Sequence, residues 1–298
     1  MTTRFCAYQY QHLPLAELNA RWRTAEELGF DVLWNVDTVV EPDHPGSTMF
    51  DGPSTLAVMA MSTSRVRIGT LVTSIYFRSP VTASKAAVTV DHLSGGRLEL
   101  ALGAGDPSAG ARAAGVAWSP SERVRRLREF VELLDLLLRN EVTTYEGEFY
   151  RCTGAETVPL PIQRPRPPIT IAAHGARMLR IAAELADGWS SWGGYDVETE
   201  DQMFAVTRER CRRFDDLCEQ LGRDPHRIRH SLVAFPPLTP WESVSYFEDM
   251  VGRYAELGVD EWVLYWPRNW RDVPQEDAVF ELVCHETIPR LRGGGRPG

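Results

Sequence analysis

Cysteine is scarce in this 298-residue chain, and its few copies do not pair. Cys6, Cys152, Cys211, Cys218 and Cys284 are odd in number and never stand in a Cys-x-x-Cys spacing, which fits reduced thiols better than a disulfide frame or zinc knuckle. Positive charge is short as well. A total of 32 Lys and Arg against 41 Asp and Glu leaves a net charge of −9, which argues against nucleic acid and anionic membrane as main partners. No apolar run follows the opening "MTTRFCAYQY", and no stretch approaches membrane-spanning length, so a soluble, cytoplasmic protein is expected.

Several chemical motifs are missing too. There is no HExxH, and the spaced pair His226 and His230 follows Pro225, so both read as surface histidines beside a strand. A metal-dependent barrel hydrolase favours paired histidines ending the first strand, where "YQYQH" offers only His12; no metal is expected. No GxSxG nucleophile elbow occurs. The turn in "LELALGAGDPSAG" has glycines at Gly103 and Gly105, but a dinucleotide fingerprint needs its third glycine where Ser108 stands. Glycines ending a barrel strand instead let the backbone approach a bound ring. Acidic helix residues such as Glu129 and Glu132 read as a solvated face.

What is present is a repeated joint. "AEELGFDVLW" (Ala25–Trp34) is echoed by "AAELADGWSSW" (Ala182–Trp192) and "YAELGVDEWVLYW" (Tyr254–Trp266). Each looks like a helix end, a tight stop and a buried strand. Leu15, Leu18, Trp22, Ala25 and Leu28 make one apolar stripe before Gly29, and Val244, Phe247, Val251 and Tyr254 make another before Gly258. Shared joint chemistry and gene duplication both account for the echo. Either way, helix and strand alternate. Short apolar runs mark eight strands, near 5–9, 32–36, 66–72, 98–102, 169–173, 188–191, 228–234 and 262–266. Between the fourth and fifth, Ser119 and Glu122 form a capping box around Pro120, and Val124, Leu127, Val131, Leu134 and Leu138 form a buried stripe.

With 43% hydrophobic residues for a core, eight strand–helix units point to a single (β/α)8 barrel spanning 1–291. An open doubly wound sheet is the other architecture. The insertion holding "TTYEGEFY" and "VPLPIQRPRPP" is expected at the rim, covering a site or making a subunit contact. The tail from 292 to 298 carries no fold information.

The stretch "RVRIGTLVTS…RSPVTASKAAVTVDHLSGGRLELALGAGD" resembles the bacterial luciferase-like flavin and deazaflavin oxidoreductases. "ELGFDVLWNVDT", "SERVRRLREFVELLDLLL", "TTYEGEFY", "PPITIAAHGARMLRIAAELADGW" and "LGRDPHRI" extend the likeness along most of the chain. The resemblance implies a (β/α)8 barrel holding either reduced FMN, which reacts with oxygen, or the deazaflavin coenzyme F-420, a hydride carrier. "AAHGARMLRIAAELADGW" and "NVDT" look more like the deazaflavin branch. The family often has a non-proline cis bond in "GTLVTS", which maps to Leu71–Val72, with Thr73 and Ser74 touching the cofactor. Ala173, His174, Gly175, Ala176 and Arg177 precede or open a helix whose free amides suit the cofactor phosphate.

Asp37 matches a family aspartate, and Asp106 matches a proton donor of one subgroup, but Thr38 replaces that subgroup's catalytic histidine. That departure puts a sugar-phosphate dehydrogenase mechanism through that base in doubt. His12, Asp37, Tyr76 and Asp106 are the candidate proton donors. The implied activity is hydride transfer between F-420 and an activated C=C, C=N or C=O bond of a small organic substrate. The alternatives are an FMN-dependent monooxygenase fed by a partner reductase and a non-catalytic flavin-binding barrel. Dimers are frequent in the family.

Overall fold

The computed structural model describes residues 2–39, 48–105, 109–267 and 277–292. In chain order the elements are β1 (Arg4–Tyr8), α1 (Leu15–Glu27), β2 (Val32–Asn35), α2 (Gly52–Ser62), β3 (Arg67–Ser74), α3 (Pro80–Ser94) and β4 (Leu98–Gly103). Next come α4 (Ala109–Ala113), α5 (Pro120–Arg139), β5 (Val142–Glu146), β6 (Arg151–Glu156), β7 (Ile169–Ala172), α6 (Ala176–Leu185), β8 (Gly188–Ser191) and α7 (Glu200–Gln220). The chain continues through β9 (Arg229–Val233), α8 (Val244–Ala255), β10 (Glu261–Tyr265), α9 (Asp277–Leu282) and α10 (Ile288–Arg292).

Eight strands close into a barrel in the order β1-β10-β9-β8-β7-β4-β3-β2, with helices between them, as a (β/α)8 fold requires. All eight are the strands marked in the sequence. The open doubly wound alternative is excluded. The chain divides into two compact units. The first holds Tyr10–Thr24 and Leu33–Ala172, and the second holds Met1–Gln9, Ala25–Val32 and Ala173–Gly298.

In the first unit, β3 runs parallel to β4 and β4 to β7, and the β3–β4 register shifts between Thr70 and Thr73. The Leu71–Val72 peptide within that shift is cis, as the resemblance implied. Helix α5 begins at Ser119, whose hydroxyl accepts from the Glu122 amide at 3.2 Å. Only that half of the expected box forms, because the Glu122 carboxylate turns along its own helix to Arg126 at 2.9 Å. Leu127, Val131, Leu134 and Leu138 are buried as expected, together with Phe130, Leu133 and Leu137, whereas Val124 is only half-buried.

The insertion contains a hairpin with no counterpart among the eight expected strands. β5 and β6 pair antiparallel, and their turn docks on α5. Glu129 is the reason, and its expected solvated position is corrected. Its carboxylate is 7% exposed and accepts from the Phe149 amide at 3.0 Å and the Tyr150 amide at 2.6 Å. A side chain on Gly147 would overlap that carboxylate, which explains the glycine in "YEGEFY". Glu132, by contrast, is half-buried and pairs with Arg128 at 3.0 Å. The proline-rich stretch then returns to the strands' amino ends. Gln163 is tied to Asp91 of α3, to the Leu98 carbonyl and to Arg67.

In the second unit, β1 pairs with β10, β10 with β9 and β9 with β8, all parallel. Gly29 (φ +80°) and Gly258 (φ +87°) adopt the left-handed conformation expected of helix stops. The middle echo works differently, since α6 ends on extended Ala186 with no glycine cap. His230 is buried, not a surface histidine as expected. It lies edge-on to Trp189 at 5.3 Å and Phe214 at 5.1 Å, with neither ring nitrogen hydrogen-bonded. His226 is exposed.

Candidate functional site

The carboxyl ends of β2, β3 and β4 bring most of the expected residues of the first unit together. Asp37, two residues past β2, is buried, and both of its oxygens are engaged. Oδ2 accepts from the Ser74 amide at 3.1 Å and from Arg78 Nε at 3.3 Å, while Oδ1 accepts from Arg78 Nη2 at 3.2 Å. Arg78 also donates to Asp51, the N-cap of α2. Burial raises the Asp37 pKa, and the Arg78 guanidinium opposes that shift. Asp37 is thus a brace that fixes the end of β3, not a carboxyl group free to deliver a proton. Sequence reasoning missed Arg78, although it sits inside the quoted "RSPVTASK".

Gln11 was missed as well. Its buried amide donates to the carbonyls of Val36 at 2.5 Å and Phe50 at 2.9 Å, and its oxygen accepts from the Val36 amide. The residue thereby fixes the backbone that presents Asp37. Leu71, Thr73 and Ser74 are buried and Val72 is half-buried.

Gly105 has φ +77°, and a side chain on it would overlap the Tyr76 ring; one on Gly103 would meet Val72. The expectation that these glycines make room for a bound ring is therefore corrected. They admit the protein's own Val72 and Tyr76. The Tyr76 ring also lies 5.3 Å from Trp118, which carries the Arg126 guanidinium at 4.2 Å. His12 is half-buried beside Tyr10 at 6.5 Å. Asp106 lies outside the described residues.

In the second unit the "AAHGAR" turn opens α6 as expected. Ala173 is buried, while Gly175, Ala176 and Arg177 are exposed. Gly175 is the N-cap and supplies no side-chain hydrogen bond to the first turn. Nothing lies within 4 Å of where its side chain would be. The turn thus offers backbone N–H groups and a guanidinium, a donor set that suits a phosphate.

His174 does not join that donor set. Its Nε2 accepts from the Trp192 amide at 3.3 Å, so the neutral ring carries its proton on Nδ1. Burial, reinforced by Arg210, lowers its pKa to about 4.

A closed parallel barrel whose polar residues gather at the strands' carboxyl ends defines a (β/α)8 barrel enzyme. The model for the luciferase-like monooxygenase family matches residues 1–239, and the chain belongs to that family. Among its relatives, the 5,10-methylenetetrahydromethanopterin reductase of Archaeoglobus fulgidus is 34% identical over 172 residues, covering 58% of this chain and 48% of that protein. The chain therefore aligns with about half the length of that relative. An F420-dependent glucose-6-phosphate dehydrogenase of Amycolatopsis mediterranei is 29% identical over 259 residues, covering 81% of this chain and 77% of that protein. An F420-dependent secondary alcohol dehydrogenase, solved with an F420-acetone adduct, superposes with a TM-score of 0.82 at 15% identity, covering 98% of this chain and 99% of that one. That last likeness is one of fold.

Proposed function

We propose that the chain is a deazaflavin-dependent oxidoreductase that moves hydride between coenzyme F-420 and an activated C=C, C=N or C=O bond of a small organic substrate. The observation that carries this reading is the open amino end of α6. Uncapped backbone donors and exposed Arg177 offer positive potential to a cofactor phosphate in a chain of net charge −9. The cofactors named for the relatives support the choice of deazaflavin.

When bound, the deazaflavin supplies a two-electron hydride from its ring carbon and, lacking the flavin nitrogen that supports oxygen activation, no oxygenase chemistry. The chain's part is to hold and orient. Gly175, Ala176 and Arg177 hold the phosphate. Within the first unit, the Leu71–Ser74 backbone is the candidate surface for a ring. Asp37, Arg78 and Gln11 keep that backbone in place. With Asp37 committed to its brace, His12 and Tyr76 are the described residues left to manage the proton.

The test is anaerobic turnover with reduced F-420 and a panel of enones, imines and ketones. Oxidation of F-420 that depends on substrate supports the reading. The family's description as monooxygenases favours one rival. Product formation with FMNH2 and oxygen, and none with F-420, would establish that rival.

A further inference from the structure

Leu98, Leu100 and Leu102 alternate along β4 and so share one face of the strand. With Leu56 of α2, Ala87 of α3 and Leu134 of α5 they line a cavity of about 30 Å³ within the first unit. Two features of the chain leave this space open. Helix α3 turns alanines toward it, at Ala83, Ala86 and Ala87, and these short side chains do not fill it. Strand β3 contributes Thr70 and Thr73. Residues three apart face opposite sides of a regular strand. Here the β3–β4 register shifts between them, so Thr70 stands beside Leu100 and Thr73 beside Leu102, on the same face.

The space suits an apolar guest better than water. The Thr70 hydroxyl donates to Asn35 Oδ1 at 2.8 Å, and Arg78, the charged side chain of the lining, is held by Asp37 and Asp51. A water inside would therefore fall short of the two to four polar partners it needs, and a cavity lined by leucine and alanine stays dry. One water takes about 10–15 Å³ of such space, so the cavity has room for two or three heavy atoms. Pro53, Arg78 and Ala86 of the lining are half-buried and the other described lining residues are buried. The approach from solvent thus runs between α2 and α3, beside Arg78.

We propose that this cavity is a binding site for a small apolar guest of two or three heavy atoms, dioxygen or a short hydrocarbon. The guest lies between the β3–β4 wall and α3, against the side chain of Thr73. The inference does not depend on the cofactor reading above.

Methyl NMR of the full chain under xenon pressure tests it. Saturable shifts should appear at Leu56, Ala87, Leu100 and Leu134 and be absent at Leu232 and Leu264, which are buried in the second unit. Displacement of xenon by propane marks the hydrocarbon as a guest. Relaxation of the same methyls by dissolved dioxygen, beyond that of exposed Leu93, marks the gas. Ala87→Met adds three heavy atoms on a flexible, unbranched stem, so it should melt at or above the parent temperature and abolish the xenon shifts at Leu100 and Leu134. Leu134→Ala enlarges the cavity and should melt lower; benzene, without effect on the parent's Tm, should raise that of this variant.

No saturable shift in the parent would overturn the proposal, as would a water–methyl Overhauser effect at Ala87 or Leu134, or failure of both propane and dioxygen. So would undiminished xenon shifts in a folded Ala87→Met variant, or a Leu134→Ala variant indifferent to benzene. The parent's xenon response and the benzene response of Leu134→Ala decide the matter if Ala87→Met does not fold.

Discussion

Replacing Arg78 with Met removes the cation that lies between Asp37 and Asp51 while keeping an unbranched apolar stem. The Asp37 side chain is 4% exposed, that of Arg78 21% and that of Asp51 47%. Leaving a buried carboxylate without its partner costs about 3–5 kcal/mol in fully buried pairs. The figure here is lower, about 2–3 kcal/mol, because Asp37 keeps the Ser74 amide and Arg78 is partly wet. The half-exposed Asp51 arm adds less than about 1 kcal/mol. At about 2–4 °C per kcal/mol for chains of this size, Tm should fall by roughly 5–10 °C.

The cause is separable from simple loss of packing. A neutral amide at position 37 needs no cation, so Asp37→Asn added to Arg78→Met should recover most of the loss. The pH dependence has a definite sign. The folded pKa of Asp37 is raised above its unfolded value, so protonation favours the folded state. The penalty from Arg78→Met should therefore shrink as pH falls through the folded pKa of Asp37. Urea melts of the parent, both single variants and the double variant, at pH 7 and in acid, measure the coupling. Additive losses, or a penalty that does not change with pH, would refute the brace.

Three further outcomes follow from the packing. Gly105→Ala should destabilise by more than about 2 kcal/mol, since it forces an L residue to φ +77° against the Tyr76 ring; a melt within 1 °C of the parent would contradict the stated conformation. Glu129→Ala should cost about 2–3 kcal/mol by stripping two hairpin amides of their acceptor, and hydrogen exchange should rise first at Phe149 and Tyr150. His230 has its pKa lowered to about 4 by burial, so the unfolded chain takes up its proton first as pH drops below about 6.5. That position should contribute up to about 3 kcal/mol of stability at neutral pH that is lost between pH 6.5 and 4, and His230→Phe should flatten that part of the pH–stability curve.

The barrel was legible because its strands are short apolar runs and its helices carry one clean stripe. Gly29 and Gly258 announced their stops because only a left-handed residue fits there. The β5–β6 hairpin was not legible, since "VTTYE" and "RCTGAE" have no apolar run and bury little of their surface. Individual polar residues were hidden for a different reason. Asp37 and Arg78 are 41 residues apart, and Glu129 meets Tyr150 across 21, so composition near each gives no sign of its partner. Glu129 and Glu132 look alike on paper, and only the docked hairpin separates them. His230 reads as a strand-edge histidine until Trp189 and Phe214 close over it.

The central claim is that this barrel holds a deazaflavin, with its phosphate on the amino end of α6. A side-by-side titration of F-420 and FMN, each in reduced form under anaerobic conditions, with the parent and with Arg177→Ala, tests it most directly. Saturable F-420 binding that weakens several-fold in Arg177→Ala and with rising salt, beside feeble FMN binding, is the expected result. Tight FMN binding with none for F-420 would contradict the claim.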